Sequence, residues 1–168
     1  PNFSKKNKLV KKYNIIVIED AAQSFGAKFK NKFSCNLSTI SCTSFFPTKP
    51  LGCYGDGGAC FTNNKKIAKK IRDLSLHGRG NKKFYYKFCG INSRLDTLQA
   101  SILLTKLKVF KKEIFLRNKV AKRYNNLLKN IDQNVKIPEI EKDCLSVYAQ
   151  YTIKVSKRDK LIEYLKKH

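Results

Sequence analysis

One run, CTSFFPTKPLGCYGDGG at residues 42–58, limits what this chain can become. An apolar, strand-like stretch over residues 40–46 meets Pro47, and Pro50 follows. Each proline fixes its own φ and restricts the residue before it, so regular structure stops there. Lys49 stands between the two prolines, on a stiffened segment. Gly52, Gly55, Gly57 and Gly58 come next, and glycine allows tight turns and close approach of backbone to a ligand. A partly buried lysine in a glycine-lined pocket suits Schiff-base chemistry, because desolvation disfavours the ammonium form and frees the lone pair. Taken alone, in a chain this rich in lysine, the same lysine reads as a surface residue of a polar loop; the surrounding pattern reverses that reading.

The elements around this run follow an α/β pattern. Residues 4–13 read as the end of a surface helix, with Ser4 as its cap and Leu9, Val10 and Tyr13 inward. Ile15-Ile16-Val17-Ile18 is a continuous β-branched run, the pattern of a fully buried parallel strand. Glu19 and Asp20 fall at its carboxyl end, the edge where open α/β sheets bind ligands. Asp20 alone would also fit a helix cap or turn. Residues 24–39 have no clear period and predict an irregular excursion or a short hairpin. Residues 40–46 and 58–62 predict two further strands. Asn63 or Asn64 caps a helix to about Leu76, closed by Gly78 at the C′ position with His77 at the helix end. Residues 79–91 form a basic, aromatic loop. Ser93 and Asp96 make a near capping box for a long helix reaching about Lys129. Past Pro138, residues 147–155 alternate as a strand and residues 158–167 form a short helix.

At 168 residues the chain is long enough for one domain with a core. It has no initiating Met and begins inside a helix-to-strand unit, which leads us to expect an excerpt of a longer protein. No run is long or apolar enough to span a membrane and no signal peptide is visible, so a cytoplasmic protein is expected. The formal charge of +24 fits a nucleic-acid or anionic partner, steering of an anionic substrate, or compositional drift. The basic residues are mostly scattered lysines, accompanied by many Asn, Ile, Phe and Tyr, the bias of AT-rich coding; drift is the favoured origin. No specific nucleic-acid site is expected. Six cysteines without a Cys-x-x-Cys pair, and only His77 and His168, predict no metal site and buried, reduced thiols.

Four ordered boxes carry a family resemblance: Glu19-Asp20-Ala21-Ala22-Gln23, Ser44-Phe45-Phe46-Pro47-Thr48-Lys49, Gly55-Asp56-Gly57-Gly58 and the run from Gly90 to Ala100, GINSRLDTLQA. Together they resemble the DegT/DnrJ/StrS family of sugar-nucleotide aminotransferases, which use pyridoxal 5′-phosphate (PLP). The resemblance implies a fold-type I enzyme, three α/β/α layers with a mostly parallel sheet. Residues 1–130 would be the C-terminal part of the PLP-binding large domain with its long connecting helix. Residues 131–168 would begin a small α+β C-terminal domain.

The resemblance also implies roles. Lys49 would carry PLP covalently and move the proton in catalysis. Asp20 would pair with the pyridine nitrogen, Gln23 would lie near the phenolic oxygen, and Ser44 would donate to the phosphate. Asn92 and Arg94 would reach the phosphate of a neighbouring subunit in a homodimer with shared active sites. Without the resemblance, Gln23 and Ser44 read as ordinary polar residues, and Asn92 and Arg94 as a cap and a solvated side chain. The implied substrates are glutamate as amino donor and a keto-sugar nucleotide. The run from Phe45 to Gly58 most resembles members that aminate C3 of a UDP-linked 2-acetamido-hexuluronic acid for surface polysaccharide such as lipopolysaccharide O-antigen. An inactive truncated remnant and a basic nucleic-acid-binding module are the alternative readings.

Overall fold

The β-branched run does not itself form the strand. In the computed structural model, which describes residues 3–82, 84–129, 131 and 134–168, β1 (Ile18–Asp20) begins at the last residue of that run. Ile15, Ile16 and Ile18 are more than half exposed, at 60%, 67% and 63%. The strand is thus shorter than the run that predicts it, and most of the run is exposed among the described residues. Among the described residues β1 is an edge strand.

β4 (Ile40–Ser44) pairs in parallel with β1, placing Glu19 opposite Ser41 and Asp20 opposite Cys42. β5 (Gly58–Phe61) returns antiparallel, with Cys42 opposite Cys60 and Ser44 opposite Gly58. Alternation along these strands sorts their side chains onto two faces. Asp20, Cys42, Ser44 and Cys60 share the open face. Glu19, Ser41 and Thr43 turn inward and are buried.

The excursion after β1 contains the short hairpin, β2 (Lys28–Phe29) with β3 (Lys32–Phe33). β6 (Cys144–Leu145) joins β2 on its other edge. The strand expected over residues 147–155 is not formed; that stretch makes only an isolated bridge from Lys154 to Lys136. A two-residue strand suffices because the hairpin offers a partner only that long.

Helix boundaries follow capping chemistry. α1 (Phe3–Tyr13) already includes Ser4, so Ser4 is not its cap. The Asn64 side chain accepts from the backbone N–H groups of Lys66 and Ile67 and caps α2 (Lys65–Ser75). At the other end, His77 rather than Gly78 takes the first left-handed position, with φ 63°, and Gly78 follows at φ 76°. Gly78 N–H closes the end by donating to Asp73 O at 2.8 Å. α3 (Thr97–Leu128) follows Asp96, whose side chain makes no cap hydrogen bond. The capping box expected from Ser93 is absent because Ser93 N–H is drawn instead to Ser75 O, at 3.0 Å. α4 (Arg158–Lys167) ends the chain as expected.

Phe45, Leu51, Cys53, Leu103 and Phe110 form the apolar core, with Phe25 and Ile114 packed against it. Gly26, at φ +87°, permits α3 to approach: a Cβ there would stand 2.7 Å from both Ile114 and Phe110. Only Leu103, Phe110 and Ala121 of α3 are buried. The chain exposes 13720 Å², against about 8,500 Å² for a compact protein of this mass. Much apolar surface of α3 thus lies uncovered, Leu98 and Phe115 included. Among the described residues, no helix is long and apolar enough to cross a membrane.

Behind the open face lies a buried carboxylate. Glu19 is 5% exposed and accepts from four donors. Ser34 Oγ and Cys35 N reach Oε1, both at 3.0 Å. Leu37 N and Ser41 Oγ reach Oε2, at 3.2 and 2.9 Å. These bonds pin the segment between the hairpin and β4 to the middle of β1. An ionised acceptor strengthens each of them. Glu19→Gln keeps the shape but turns an NH2 group toward two donors, so in the full-length protein we expect a loss of about 2 kcal/mol. Thermal melting checks it; an unchanged Tm would show the network to be dispensable.

Candidate active site

Lys49 sits on a turn whose shape is set by its neighbours. Its N–H donates to Phe46 O at 2.9 Å. On either side the chain is clamped to itself: Phe45 N–H reaches Gly57 O, and Cys53 N–H reaches Phe45 O, both at 2.7 Å. The Cys53 thiol, fully buried, donates within reach of Phe45 O and Gly55 O, at 3.0 and 3.1 Å. Gly52 is required by this geometry: a Cβ would fall 2.6 Å from Pro47 O and 2.7 Å from Phe46 O. The glycines shape the chain around Lys49.

α3 holds the same turn from outside. Tyr54 N–H donates to Gln99 Oε1 at 2.8 Å. Lys106 Nζ donates to Gly52 O at 2.5 Å. Gln99 was visible in its box without an assigned part. Lys106, one lysine among many, carried no signal in the sequence.

Asp20 ends β1 on the open face and is exposed. Its Oδ1 accepts from Ala22 N–H at 3.0 Å, so it shapes the following turn as well as presenting a carboxylate. Gln23 lies exposed on that turn. Ser44 ends β4 on the same face; its Oγ accepts from Phe46 N–H at 3.2 Å, which leaves the hydroxyl hydrogen to donate. Cys42 lies between Asp20 and Cys60 on this face, and its thiol is pushed up by burial first, then by Asp20, Cys60 and Glu19. The thiol of Cys35, which lines a cavity with Cys60, is raised to about 11 by burial and then by Glu19.

Asn92 and Arg94 do not join these groups within the chain. Asn92 is bridged to Leu76 at the end of α2, and Arg94 Nε donates to Asn92 Oδ1 at 2.9 Å. Arg94 lines a small cavity with His77, Arg79, Phe84 and Tyr86. The thiols also depart from expectation. All six are free, but only Cys53 is buried; Cys60 and Cys89 are exposed, because the open sheet face and the 79–91 loop are uncovered here.

The open face and its loop thus offer a carboxylate and a hydroxyl at the carboxyl ends of adjacent parallel strands, with a lysine five positions beyond the hydroxyl. A carboxylate, a hydroxyl donor and an amine are the donor set for a ring with a basic nitrogen, a phosphate and an aldehyde. The residues present fit PLP.

The chain as a whole is similar to known proteins. The model of the DegT/DnrJ/EryC1/StrS aminotransferase family matches residues 2–168. A UDP-2-acetamido-2-deoxy-3-oxo-D-glucuronate aminotransferase of Pseudomonas aeruginosa is 53% identical over 165 residues, covering 98% of this chain and 45% of that protein. A DegT/DnrJ/EryC1/StrS aminotransferase from Brucella abortus superposes with a TM-score of 0.94 at 41% identity, over 99% of this chain and 44% of that one. A Bacillus subtilis protein solved with bound cofactor PMP superposes with a TM-score of 0.85 at 31% identity, over 96% of this chain and 37% of that one. The chain spans about half the length of the relatives it matches.

Proposed function

The chain belongs to the DegT/DnrJ/EryC1/StrS aminotransferase family, with its fold-type I α/β architecture, and on that premise we propose that it is the PLP-binding portion of an enzyme that moves an amino group from glutamate to a keto-sugar nucleotide. One observation carries the proposal: Asp20 and Ser44 end neighbouring parallel strands on one open face, and the clamped Lys49 turn follows directly.

When bound, PLP supplies an electron sink that makes a hydrogen α to an amino group acidic. Lys49 would hold the cofactor covalently and then, as a free amine, take and return the proton at the substrate Cα. Asp20 would keep the ring nitrogen protonated by its negative charge. Ser44 would donate to the phosphate, and Gln23 would stand by the phenolic oxygen. Asn92 and Arg94, remote from this face in the chain itself, would serve a second subunit; the guanidinium fork suits a phosphate. The uncovered stripe of α3 supports such a homodimer. We further propose that residues 131–168 open a second, smaller domain, and that the enzyme is cytoplasmic.

The 53% identity to the Pseudomonas enzyme favours a UDP-linked 2-acetamido-3-oxo-hexuronic acid as acceptor, and with it a place in surface-polysaccharide synthesis such as O-antigen. The full-length protein, given that sugar nucleotide, PLP and glutamate, should form 2-oxoglutarate and the 3-amino sugar. No turnover with it, alongside turnover of another keto-sugar nucleotide, would overturn the substrate but keep the reaction.

The charge of +24 is expected to give only non-specific nucleic-acid binding. Scattered lysines release counterions without fixing register, so affinity should fall by about 10³-fold or more between about 50 and 200 mM salt. A filter-binding titration checks this; sequence-selective binding that survives the higher salt would contradict it.

A further inference from the structure

One face of α3 meets the Lys49 turn at both its ends. Gln99 Oε1 accepts from Tyr54 N–H at 2.8 Å, and Lys106 Nζ donates to Gly52 O at 2.5 Å. Leu103 lies between them on the helix and shares the buried core with Leu51 and Cys53. Positions 99, 103 and 106 recur at helical spacing, so the three side chains line one face over about 10 Å of helix. Lys106 is half-buried, and its ammonium also stands 5.5 Å from the centre of the Tyr54 ring. All of these groups belong to this chain, so the clamp does not depend on which faces a longer protein covers.

The contact reaches Lys49 through backbone. Gly52 lies so close to the chain ahead of Lys49 that a Cβ on it would fall 2.6 Å from Pro47 O and 2.7 Å from Phe46 O. Lys49 N–H donates to that same Phe46 O at 2.9 Å. Gly52 is thus held between the Lys106 ammonium and the backbone of residues 46–47. A shift of Gly52 moves the peptide from which Lys49 hangs.

Given the cofactor-holding role proposed above for Lys49, we propose that Lys106 is a positioning residue, whose bond to Gly52 O fixes the Lys49 amine relative to Asp20 and Ser44. Charged donors make stronger hydrogen bonds than neutral ones. A displacement of about 1 Å at a reacting group can cost about 10²-fold in rate. Lys106 acts through Gly52 and not on the reacting atoms.

Three variants of the full-length protein test this. Lys106→Met removes the donor. Lys106→Gln, one bond shorter and still polar, is a second variant should the apolar one fail to fold. Lys106→Arg keeps a charged donor. Amide hydrogen exchange without PLP reads the turn independently of the cofactor. In Lys106→Met and Lys106→Gln the Lys49 and Cys53 amides should exchange about tenfold faster or more, with the β4 and α2 amides unchanged. With PLP, Lys49 should still be fixed by borohydride, while kcat falls about 10–100-fold and KM for glutamate hardly moves. Lys106→Arg should return both readings toward the parent. Unchanged exchange at Lys49 and Cys53 would overturn the clamp. Faster exchange with a parental kcat would overturn the positioning role and leave Lys106 a purely structural residue. A parent that fixes no PLP at Lys49 would overturn the cofactor reading, and this role with it, whatever the exchange shows.

Discussion

Replacing Lys49 with alanine is expected to abolish amino transfer and leave the fold intact. The amine is asked both to hold the cofactor and to carry the proton at Cα. An alanine does neither; Ser44 offers only a hydroxyl and Asp20 a carboxylate, and the Lys106 amine is held by Gly52 O. General acid–base work alone is typically worth about 10²–10⁴ in rate, so loss of both roles should leave turnover below about 10⁻³ of the parent. The turn itself is held by the backbone bonds of Phe45, Phe46 and Cys53, and by Gln99 and Lys106 from α3. None of these involves the Lys49 side chain, so the melting temperature should hardly move. Turnover measured beside a thermal melt separates the two effects. Turnover near the parent level would remove Lys49 from the chemistry.

Asp20→Asn is expected to cost about 10²–10³ in turnover, the usual size of a lost electrostatic contact to developing charge. The substitution is informative because it splits the two things Asp20 does. An asparagine oxygen can still accept from Ala22 N–H, so the turn after β1 should survive. What is lost is the negative charge on the open face. Cofactor should still bind, more weakly, while the rate falls. If Asp20 only shaped the turn, the amide would serve as well as the carboxylate and the rate would stay unchanged. The pair of measurements, retained PLP absorbance and lost rate, therefore distinguishes a ring partner from a turn residue.

Much of this site was legible in the sequence because its residues are local. The clamp on Lys49 is written in two prolines and a glycine cluster, and Gly52 is required because backbone atoms of Phe46 and Pro47 occupy the space of a side chain. Asp20 and Ser44 could be placed because each ends a strand, and parallel pairing of those strands sets them on one face. What could not be read came from distant segments. The four donors to Glu19 lie between Ser34 and Ser41, in a stretch with no period of its own. Lys106 meets Gly52 only because Gly26 lets α3 lie close. β1 was misread in its length. A β-branched run marks a preference for strand, but pairing with Ile40 begins only at Ile18, and the neighbours that would bury Ile15 and Ile16 are not among the described residues. His77 displaced Gly78 from the first left-handed position, where residue preference alone favours glycine.

The central claim is that Lys49, alone among the lysines, holds the cofactor. The direct measurement is to load the full-length protein with PLP, reduce it with borohydride, and map the fixed pyridoxyl group by peptide mass. The predicted result is one labelled site per chain, at Lys49, accompanied by loss of the visible absorbance and no labelling in Lys49→Ala. Label spread over the surface lysines in proportion to their exposure, with Lys49 no more modified than the rest, would contradict it.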